Sequence, residues 1–155
     1  MSSHWMAARA RWLSVSCVVL LLACCAPIIA DYSLDAYKNA TTLKAETFAL
    51  IDKSGEKYIN HKAEAETLTT KVNAAYEFAN GLANNSLSAQ QWQIMRNPNG
   101  NLYGGFIRLW QKGPLPPAFR EDLKTSIGRG YDEIICLEIN KKDTQRCFSA
   151  AAPKT

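Results

Sequence analysis

Apolar side chains recur every three or four residues through most of the chain from residue 31 onward, and this period predicts helices rather than strands. The first apolar stripe covers residues 34–51 and follows Ser33, whose hydroxyl suits the N-cap of a helix. The second and most regular stripe covers residues 58–82. Ser-Gly at 54–55 separates the stripes, so we expect two antiparallel helices, because a single amphipathic helix of about 50 residues would need an external partner.

The middle of the chain gives a weaker helical pattern that is interrupted by turns. Ser88 and Gln91 form a capping-box pattern, which predicts that a short helix starts there. The sequence Asn-Pro-Asn-Gly at 97–100 predicts a turn, after which helical spacing resumes over 102–110 despite two glycines. Gly-Pro-Leu-Pro-Pro at 113–117 predicts a firm break, with a proline placed to begin the next helix.

The last apolar stripe runs over residues 123–141 and predicts a final helix. β-Branched residues are dense over 134–139, which would also suit a strand, but a lone strand has no evident partner in this chain, so the helix is favoured. Residues after Asp143 are expected to be irregular. The fold is thus predicted to be all-α, a small bundle of about four helices with an irregular third element. It forms one domain over residues 33–148, followed by a loose, flexible tail over 149–155.

The segment before this domain has the pattern of an export signal. Arg9 and Arg11 precede a run over 13–23 that is apolar apart from two serines, and no acidic residue interrupts it. The run is shorter than the roughly 20 residues that span a bilayer. Its end, Leu-Leu-Ala-Cys at 21–24, resembles the lipobox of bacterial lipoproteins.

The lipobox resemblance implies how the mature chain begins and where it resides. Residues 1–23 would be removed as the signal peptide, Cys24 would carry acyl chains, and residues 24–32 would tether the domain to the membrane, facing the periplasm. By analogy with the class, Cys25 after the lipid site does not retain the chain at the inner membrane, so the outer membrane is favoured. Two alternatives remain open, which are ordinary signal cleavage after Ala30 and a retained membrane anchor.

Composition and charge argue against a nucleic-acid-binding role. The 155 residues carry a formal net charge of +4, and two of the 18 basic residues lie in the signal, which leaves 16 against 14 acidic residues. No dense basic stripe with interleaved aromatic residues remains, as nucleic-acid binding would require. Lys141, Lys142 and Arg146 form a mild basic cluster, which we interpret as the solvated end of the last helix.

Two cysteines lie within the predicted domain, Cys136 and Cys147. An exported chain enters an oxidising compartment, where two remaining thiols often pair, so we predict a disulfide between them. The short loop that it closes would contribute about 3 kcal/mol at most in the chain-entropy model. The alternative is two separate thiols, with Cys136 buried as a small apolar side chain.

The residues that carry catalysis or bind metals do not form a recognisable set. His61 is the one histidine after the signal, and it falls on the apolar face of its helix, which favours a packed or interface residue over a catalytic one. Cys and His ligands at zinc spacing are missing, so we expect no metal and no cofactor. Glu64 and Glu66 are two residues apart and do not face each other on a helix. An enzyme would therefore require distant acids, such as Glu77 and Glu121, to converge.

Aromatic residues and prolines are concentrated between residues 92 and 117. These rings either fill the core at the irregular end of the bundle or form a contact surface for a partner, since Trp and Tyr are common interface anchors. The candidate partner-binding residues combine the rings with arginines that would form a polar rim: Trp92, Tyr103, Phe106, Trp110, Arg96 and Arg108.

These patterns together predict a membrane-tethered envelope lipoprotein that acts as a non-enzymatic binding or structural component. Its expected partners are the membrane, through the lipid anchor, and another envelope protein or envelope component. Two alternatives come from other classes. The chain would be a carrier of an apolar ligand if the bundle enclosed a cavity. An envelope enzyme acting on cell-wall material is disfavoured, because the carboxylate pair that it needs is not visible.

Overall fold

A computed structural model of the protein describes residues 30–149, and it describes their side chains through residue 147. The predicted signal peptide, the predicted lipidation site Cys24 and the tail from residue 150 lie outside these residues. Every regular element within them is a helix, which confirms the all-α prediction of a small helical bundle. The helices in chain order are α1 (Leu34–Lys53), α2 (Lys62–Gly81), α3 (Ser86–Arg96), α4 (Tyr103–Trp110), α5 (Pro117–Ile139) and α6 (Gln145–Ser149).

The boundaries of α1 follow from hydrogen bonds of two serines. The Oγ of Ser33 accepts a hydrogen bond from the backbone N–H of Ala36 at 3.2 Å, which confirms Ser33 as the N-cap. At the other end, the Oγ of the buried Ser54 donates to the carbonyl oxygen of Ile51 at 2.7 Å. The chain therefore leaves the helix at the predicted Ser-Gly break, and the first half of the chain forms two helices rather than one.

The first two long helices run antiparallel, as predicted. A 3₁₀ helix, Tyr58–His61, turns the chain between them and leads directly into α2. Lys53 at the end of α1 lies 2.6 Å from the carboxylate of Glu64 near the start of α2. A second ion pair joins the two helices nearer their middles, where the charged atoms of Glu46 in α1 and Lys71 in α2 are 2.7 Å apart. Residue numbers rise along one helix as they fall along the other, which defines the antiparallel register.

Helix α5 packs antiparallel to α1 on its other side, and the strand alternative for residues 134–139 is wrong. Lys44 in α1 pairs with Asp132 in α5, and Asp52 at the end of α1 pairs with Lys124 near the start of α5. The helix is continuous through this stretch because its apolar positions face one core, and Ile134 is fully buried there.

Two glycines within α5 let neighbouring side chains approach the helix closely. A Cβ added to Gly128 would lie 2.9 Å from the ring of Phe48, and one added to Gly130 would lie 2.9 Å from the terminal methyl of Met95. Each glycine costs about 1 kcal/mol of helix propensity relative to alanine. The packing of α1 and α3 against α5 offsets that cost.

The predicted irregular third element consists of α3 and α4 joined by a tight turn, but α3 does not begin at a capping box. It begins at Ser86, after Asn84 in the left-handed conformation at φ 58°. Ser88 lies inside the helix, where its Oγ accepts a hydrogen bond from the ammonium group of Lys141 at 2.9 Å. The capping-box prediction was wrong because a distant partner binds this hydroxyl.

Helix α4 lies directly on the turn over residues 97–100. A Cβ added to Gly104 would lie 2.3 Å from the carbonyl oxygen of Arg96, and one added to Gly105 would lie 1.9 Å from the carbonyl oxygen of Gly100. The two glycines, which weaken the helical pattern in the sequence, are the residues that permit this backbone contact.

The C-terminal segment folds back on α5 and contains the predicted disulfide. Cys136 and Cys147 are bonded, with their Cα atoms 5.7 Å apart. The segment after Asp143 is more regular than expected, since it includes the five-residue helix α6. The disulfide joins this helix to the last turns of α5.

Lys141 is buried, contrary to the prediction of a solvated basic cluster. Its side chain is 6% exposed, and its ammonium nitrogen lies 2.9 Å from Oε2 of Glu138, which is also buried. The same ammonium group donates to Oδ1 of Asn85 and to Oγ of Ser88. Asn85 and Ser88 therefore accept hydrogen bonds that replace part of the hydration of the ammonium group, and Glu138 supplies the counter-charge through an ion pair, since neither of its buried oxygens makes a hydrogen bond in the described residues. Lys142 is exposed, as predicted.

Several termini of the bundle meet at one end, which we call the entry end. It contains the first turn of α1, the turn over residues 82–85 and the last turn of α5, because α1 is antiparallel to both α2 and α5. The backbone N–H of Ala30 donates to the carbonyl oxygen of Asn84 at 3.1 Å. The chain therefore enters the described fold at this end.

The buried pair predicts a distinct pattern of stability. Replacing Glu138 with Leu leaves the ammonium of Lys141 buried without its counter-charge, which should lower the free energy of unfolding by about 3–5 kcal/mol. The double variant Glu138→Leu/Lys141→Met should recover most of that loss, because it buries no charge. Urea unfolding followed by circular dichroism measures both. As a control, Glu66→Gln in the exposed pair with Lys62 should leave the midpoint almost unchanged. A double variant no more stable than the single one would contradict this role of the pair.

The contact between α4 and the turn predicts a second effect. Gly105→Ala should lower the free energy of unfolding by roughly 1–3 kcal/mol, because its methyl group meets a backbone carbonyl that cannot rotate away. Gly81→Ala is the matched control, since nothing lies within 4 Å of a Cβ there and alanine favours the helix. Thermal unfolding of the two variants checks this, and equal melting temperatures would show that the close contact is not required.

Candidate functional site

A cleft with a volume of about 470 Å³ opens between α2, α3 and α4, and we call it the arginine cleft. This volume falls within the range of small-ligand sites, which is roughly 300–1,000 Å³. Its lining combines amide, hydroxyl, apolar and arginine side chains from three helices and one turn: Thr69, Val72, Asn73, Gln93, Arg96, Asn97, Pro98, Tyr103, Gly104, Ile107, Arg108 and Gln111.

Arg96 is held in place by several neighbours at the end of α3. Its guanidinium carbon lies 3.7 Å from the ring centroid of Tyr76, a cation–π contact. Its Nε donates to Oε1 of Gln93 at 2.9 Å, and Nη1 donates to Oδ1 of Asn73 at 3.4 Å. The carboxylate of the exposed Glu77 lies 4.0 Å away. These contacts fix the guanidinium and engage its Nε and one of its two terminal nitrogens.

Arg108 is oriented by one hydrogen bond and keeps its remaining donors. Its Nε donates to the carbonyl oxygen of Pro98 at 2.7 Å, which ties α4 to the turn after α3. Within the described part of the chain, its two terminal nitrogens have no hydrogen-bond or ion-pair partner. The side chain is half-buried. Arg108 therefore presents a positioned but unpaired fork of N–H donors to the cleft.

The floor of the cleft is neutral. Thr69 donates its hydroxyl hydrogen to the carbonyl oxygen of Ala65 at 2.8 Å, and its oxygen lies 2.9 Å from the hydroxyl of Tyr103. Tyr103 is 1% exposed, and this burial raises the pKa of its hydroxyl well above the ordinary value. The hydroxyl stays protonated and donates to Thr69. The half-buried Ile107 adds apolar surface beside it.

The structure places only some of the predicted partner-binding residues at this cleft. Arg96, Arg108 and the small exposed edge of Tyr103 line it together, from the consecutive helices α3 and α4. Trp92 and Phe106 are instead buried in the core, with at most 2% of either side chain exposed. The expected contact surface of aromatic rings is corrected accordingly, because rings enclosed in the core cannot touch a partner.

The contacts of the buried rings explain why they fill the core. Trp110 has no exposed area, stacks on Phe106 with ring centroids 5.8 Å apart, and donates its indole N–H to the carbonyl oxygen of Glu56 at 2.8 Å. Trp92 packs edge-on against Tyr131 at 5.9 Å. Burial of these rings removes large apolar area from water, and the indole of Trp110 keeps a hydrogen bond.

Sequence reasoning missed other residues that line the cleft, among them Asn73 in α2 and Gln111 just after α4. Both lie among polar positions outside the apolar stripes, where a solvated side chain is the ordinary interpretation. Only the approach of α3 and α4 to this side of α2 turns Asn73 into part of a cavity. The pairing of Arg96 with Tyr76 also had no signal in the sequence.

The titratable residues elsewhere in the fold form local pairs. His61 is packed, since its ring lies 5.8 Å from that of Trp110 and its Nε2 lies 2.9 Å from the carboxylate of Glu56. Glu77 and Glu121 lie in opposite halves of the bundle, because α2 and α5 are parallel and these acids occupy different levels along them. Among residues 30–149, no three His, Cys, Asp or Glu side chains are grouped to hold a metal ion.

The arginine cleft is therefore the described feature with the most convergent polar groups. It joins two arginines, several amides and an apolar floor in a cavity of ligand size. Comparisons with protein-family models, curated proteins and solved structures found no match to this chain. Function is accordingly inferred from its own residues.

Proposed function

We propose that the chain is a bacterial envelope lipoprotein, anchored through Cys24 and facing the periplasm, which binds an envelope protein or component without catalysing a reaction. The observation that carries the binding role is the arginine cleft, where a half-buried Arg108 keeps unpaired donors beside an apolar floor. A cation positioned in this way interacts with an arriving polar group without rearrangement of the fold.

The position of Ala30 supports the tether. Ala30 is hydrogen-bonded to Asn84 at the entry end and lies six positions after Cys24. Six extended residues span at most about 20 Å, so acyl chains on Cys24 hold the entry end close to the membrane surface. No helix among the described residues is long and apolar enough to cross a membrane. The disulfide also suits a chain that is exported to an oxidising compartment.

The geometry leaves the cleft open to a partner when the entry end is held at the membrane. Asn73 lies eight residues before Gly81, the last residue of α2, which corresponds to about 12 Å along the helix. The cleft opens on the side of the bundle between α2 and α3, and Gln93 and Gln111 at its margin are exposed. Its polar margin suits an envelope partner better than an apolar ligand carried within the core.

The anchor predicts the mass of the mature protein. Chain purified from the membranes of a bacterial host should begin at Cys24 and carry the added mass of acyl chains. Cys24→Ser should lose that mass and leave the membrane fraction, whereas Cys25→Ser should keep both. Intact-mass spectrometry and membrane fractionation measure these outcomes. A mature chain that begins at Asp31 would contradict the lipid anchor.

The cleft predicts where a partner binds in the native envelope. A photo-crosslinking residue at Gln111 should yield a discrete adduct, because this exposed position lies at the cleft margin. The same residue at Lys38 is the control, since Lys38 is exposed on α1 and lies outside the cleft. Adduct mass is read from gels and mass spectrometry after irradiation of intact cells. The absence of an adduct at Gln111, or the same adduct from both positions, would contradict the binding role of the cleft.

A further inference from the structure

We infer that the arginine cleft takes a ligand with one carboxylate or phosphate group next to a short apolar portion, and that Arg108 binds the anionic group. This inference rests on the proposed binding role of the cleft and adds the chemical class of what it binds. A carboxylate and a phosphate share the feature that matters here, which is two acceptor oxygens that match the fork of a guanidinium.

The charge of the lining determines the sign of the ligand. Arg96 and Arg108 are the charged residues that line the described cleft, and no acidic residue lines it. Glu77 is the acid recorded close to Arg96, and it is 68% exposed at 4.0 Å from the guanidinium. A carboxylate so open to solvent interacts weakly. The cleft therefore keeps an excess of positive charge that an anion would neutralise.

The hydrogen bonds that each guanidinium already makes distinguish the roles of the two arginines. Arg96 directs donors to Gln93 and Asn73 and stacks on Tyr76, so its orientation is fixed by the protein. Arg108 uses its Nε on Pro98, and its terminal nitrogens meet no acceptor in the described residues. A guanidinium has five N–H donors, so four remain on Arg108 against three on Arg96, and only Arg108 keeps both terminal nitrogens unpaired. Arg108 is thus the residue that contacts the anion, while Arg96 contributes charge from a fixed position.

The neutral part of the lining determines the rest of the ligand. Pro98 and Ile107 provide apolar surface, and Asn97 and Gln111 provide amides at the margin. The buried hydroxyl of Tyr103 is already engaged with Thr69. A cavity of about 470 Å³ suits a small ligand or the end of a longer chain rather than a broad surface contact.

Four probes with the same six-carbon tail test the class: hexanoate, hexyl phosphate, hexylamine and hexanol. We expect both anions to bind and to shift the NMR signal of the Arg108 side-chain N–H. The amine and the alcohol should bind about tenfold more weakly, because they give Arg108 no anionic acceptor. The relative affinity of hexanoate and hexyl phosphate distinguishes a carboxylate ligand from a phosphate ligand.

Variants assign the binding to Arg108. Arg108→Gln should weaken the binding of both anions about tenfold, and Arg108→Lys should fall between, because lysine keeps the charge but lacks the fork. Arg129→Gln is the matched control, since Arg129 is an exposed arginine on α5 outside the cleft. Its affinity for the anions should equal that of the original protein. Circular dichroism shows whether each variant keeps its helices.

The binding and crosslinking experiments test the ligand class and the binding role of the cleft separately. Equal binding of all four probes, no binding of either anion, or unchanged affinity in folded Arg108→Gln would overturn the ligand class. If Gln111 still forms its adduct in cells, the binding role of the cleft then stands without that class. Anion binding that depends on Arg108, with no adduct at Gln111, would support the ligand class and remove the envelope partner.

Discussion

The buried ion pair between Lys141 and Glu138 is the constraint on which the entry end of the bundle depends. Removing two charges from water costs several kcal/mol for each ion, so the fold must supply partners at this point. Asn85 and Ser88 are those partners for Lys141. Asn85 also donates from Nδ2 to the carbonyl oxygen of Ala79 at 2.9 Å, which satisfies the end of α2. One ammonium group therefore fixes the end of α5, the turn before α3 and the end of α2 together.

The disulfide keeps this pair within a short closed loop. Cys136 precedes Glu138 and Cys147 follows Lys141, so both charged residues lie between the bonded cysteines. In the chain-entropy picture, such a cross-link restricts the unfolded chain. It thereby lowers the entropy that is lost when the buried charges are brought to their partners. The entry of the chain at Ala30, beside the same turn, connects the proposed anchor to the most constrained part of the bundle.

The arginine cleft depends on a different constraint, which is the close contact of α4 with the turn over residues 97–100. Gly104 and Gly105 let the helix backbone touch the turn. That contact brings the carbonyl oxygen of Pro98 within reach of Arg108 and leaves the rest of the guanidinium free. The cleft thus forms because two positions of α4 have no side chain, which allows this helix to pack directly on the turn. Phe106 and Trp110 of the same helix fill the core instead, so one short helix supplies both the core and the cleft.

The sequence by itself determined the helices. The apolar period, the N-cap Ser33 and the break at 54–55 depend on neighbours within a few residues, so local rules predict them. The pairing of Cys136 with Cys147 was predicted from the expected export and from the presence of only two thiols in the predicted domain.

Only the tertiary structure decided the environment of each polar side chain. The sequence predicts a solvated helix end at Lys141 and a helix cap at Ser88. In the structure the two side chains are hydrogen-bonded to each other across 53 positions of the chain. The sequence alone left open whether the rings around Trp110 fill the core or form a surface. Which one they form depends on where α4 packs. Burial and hydrogen-bond partners are set by contacts between distant segments, and a periodic pattern records only which side of a helix is apolar, not what lies against it.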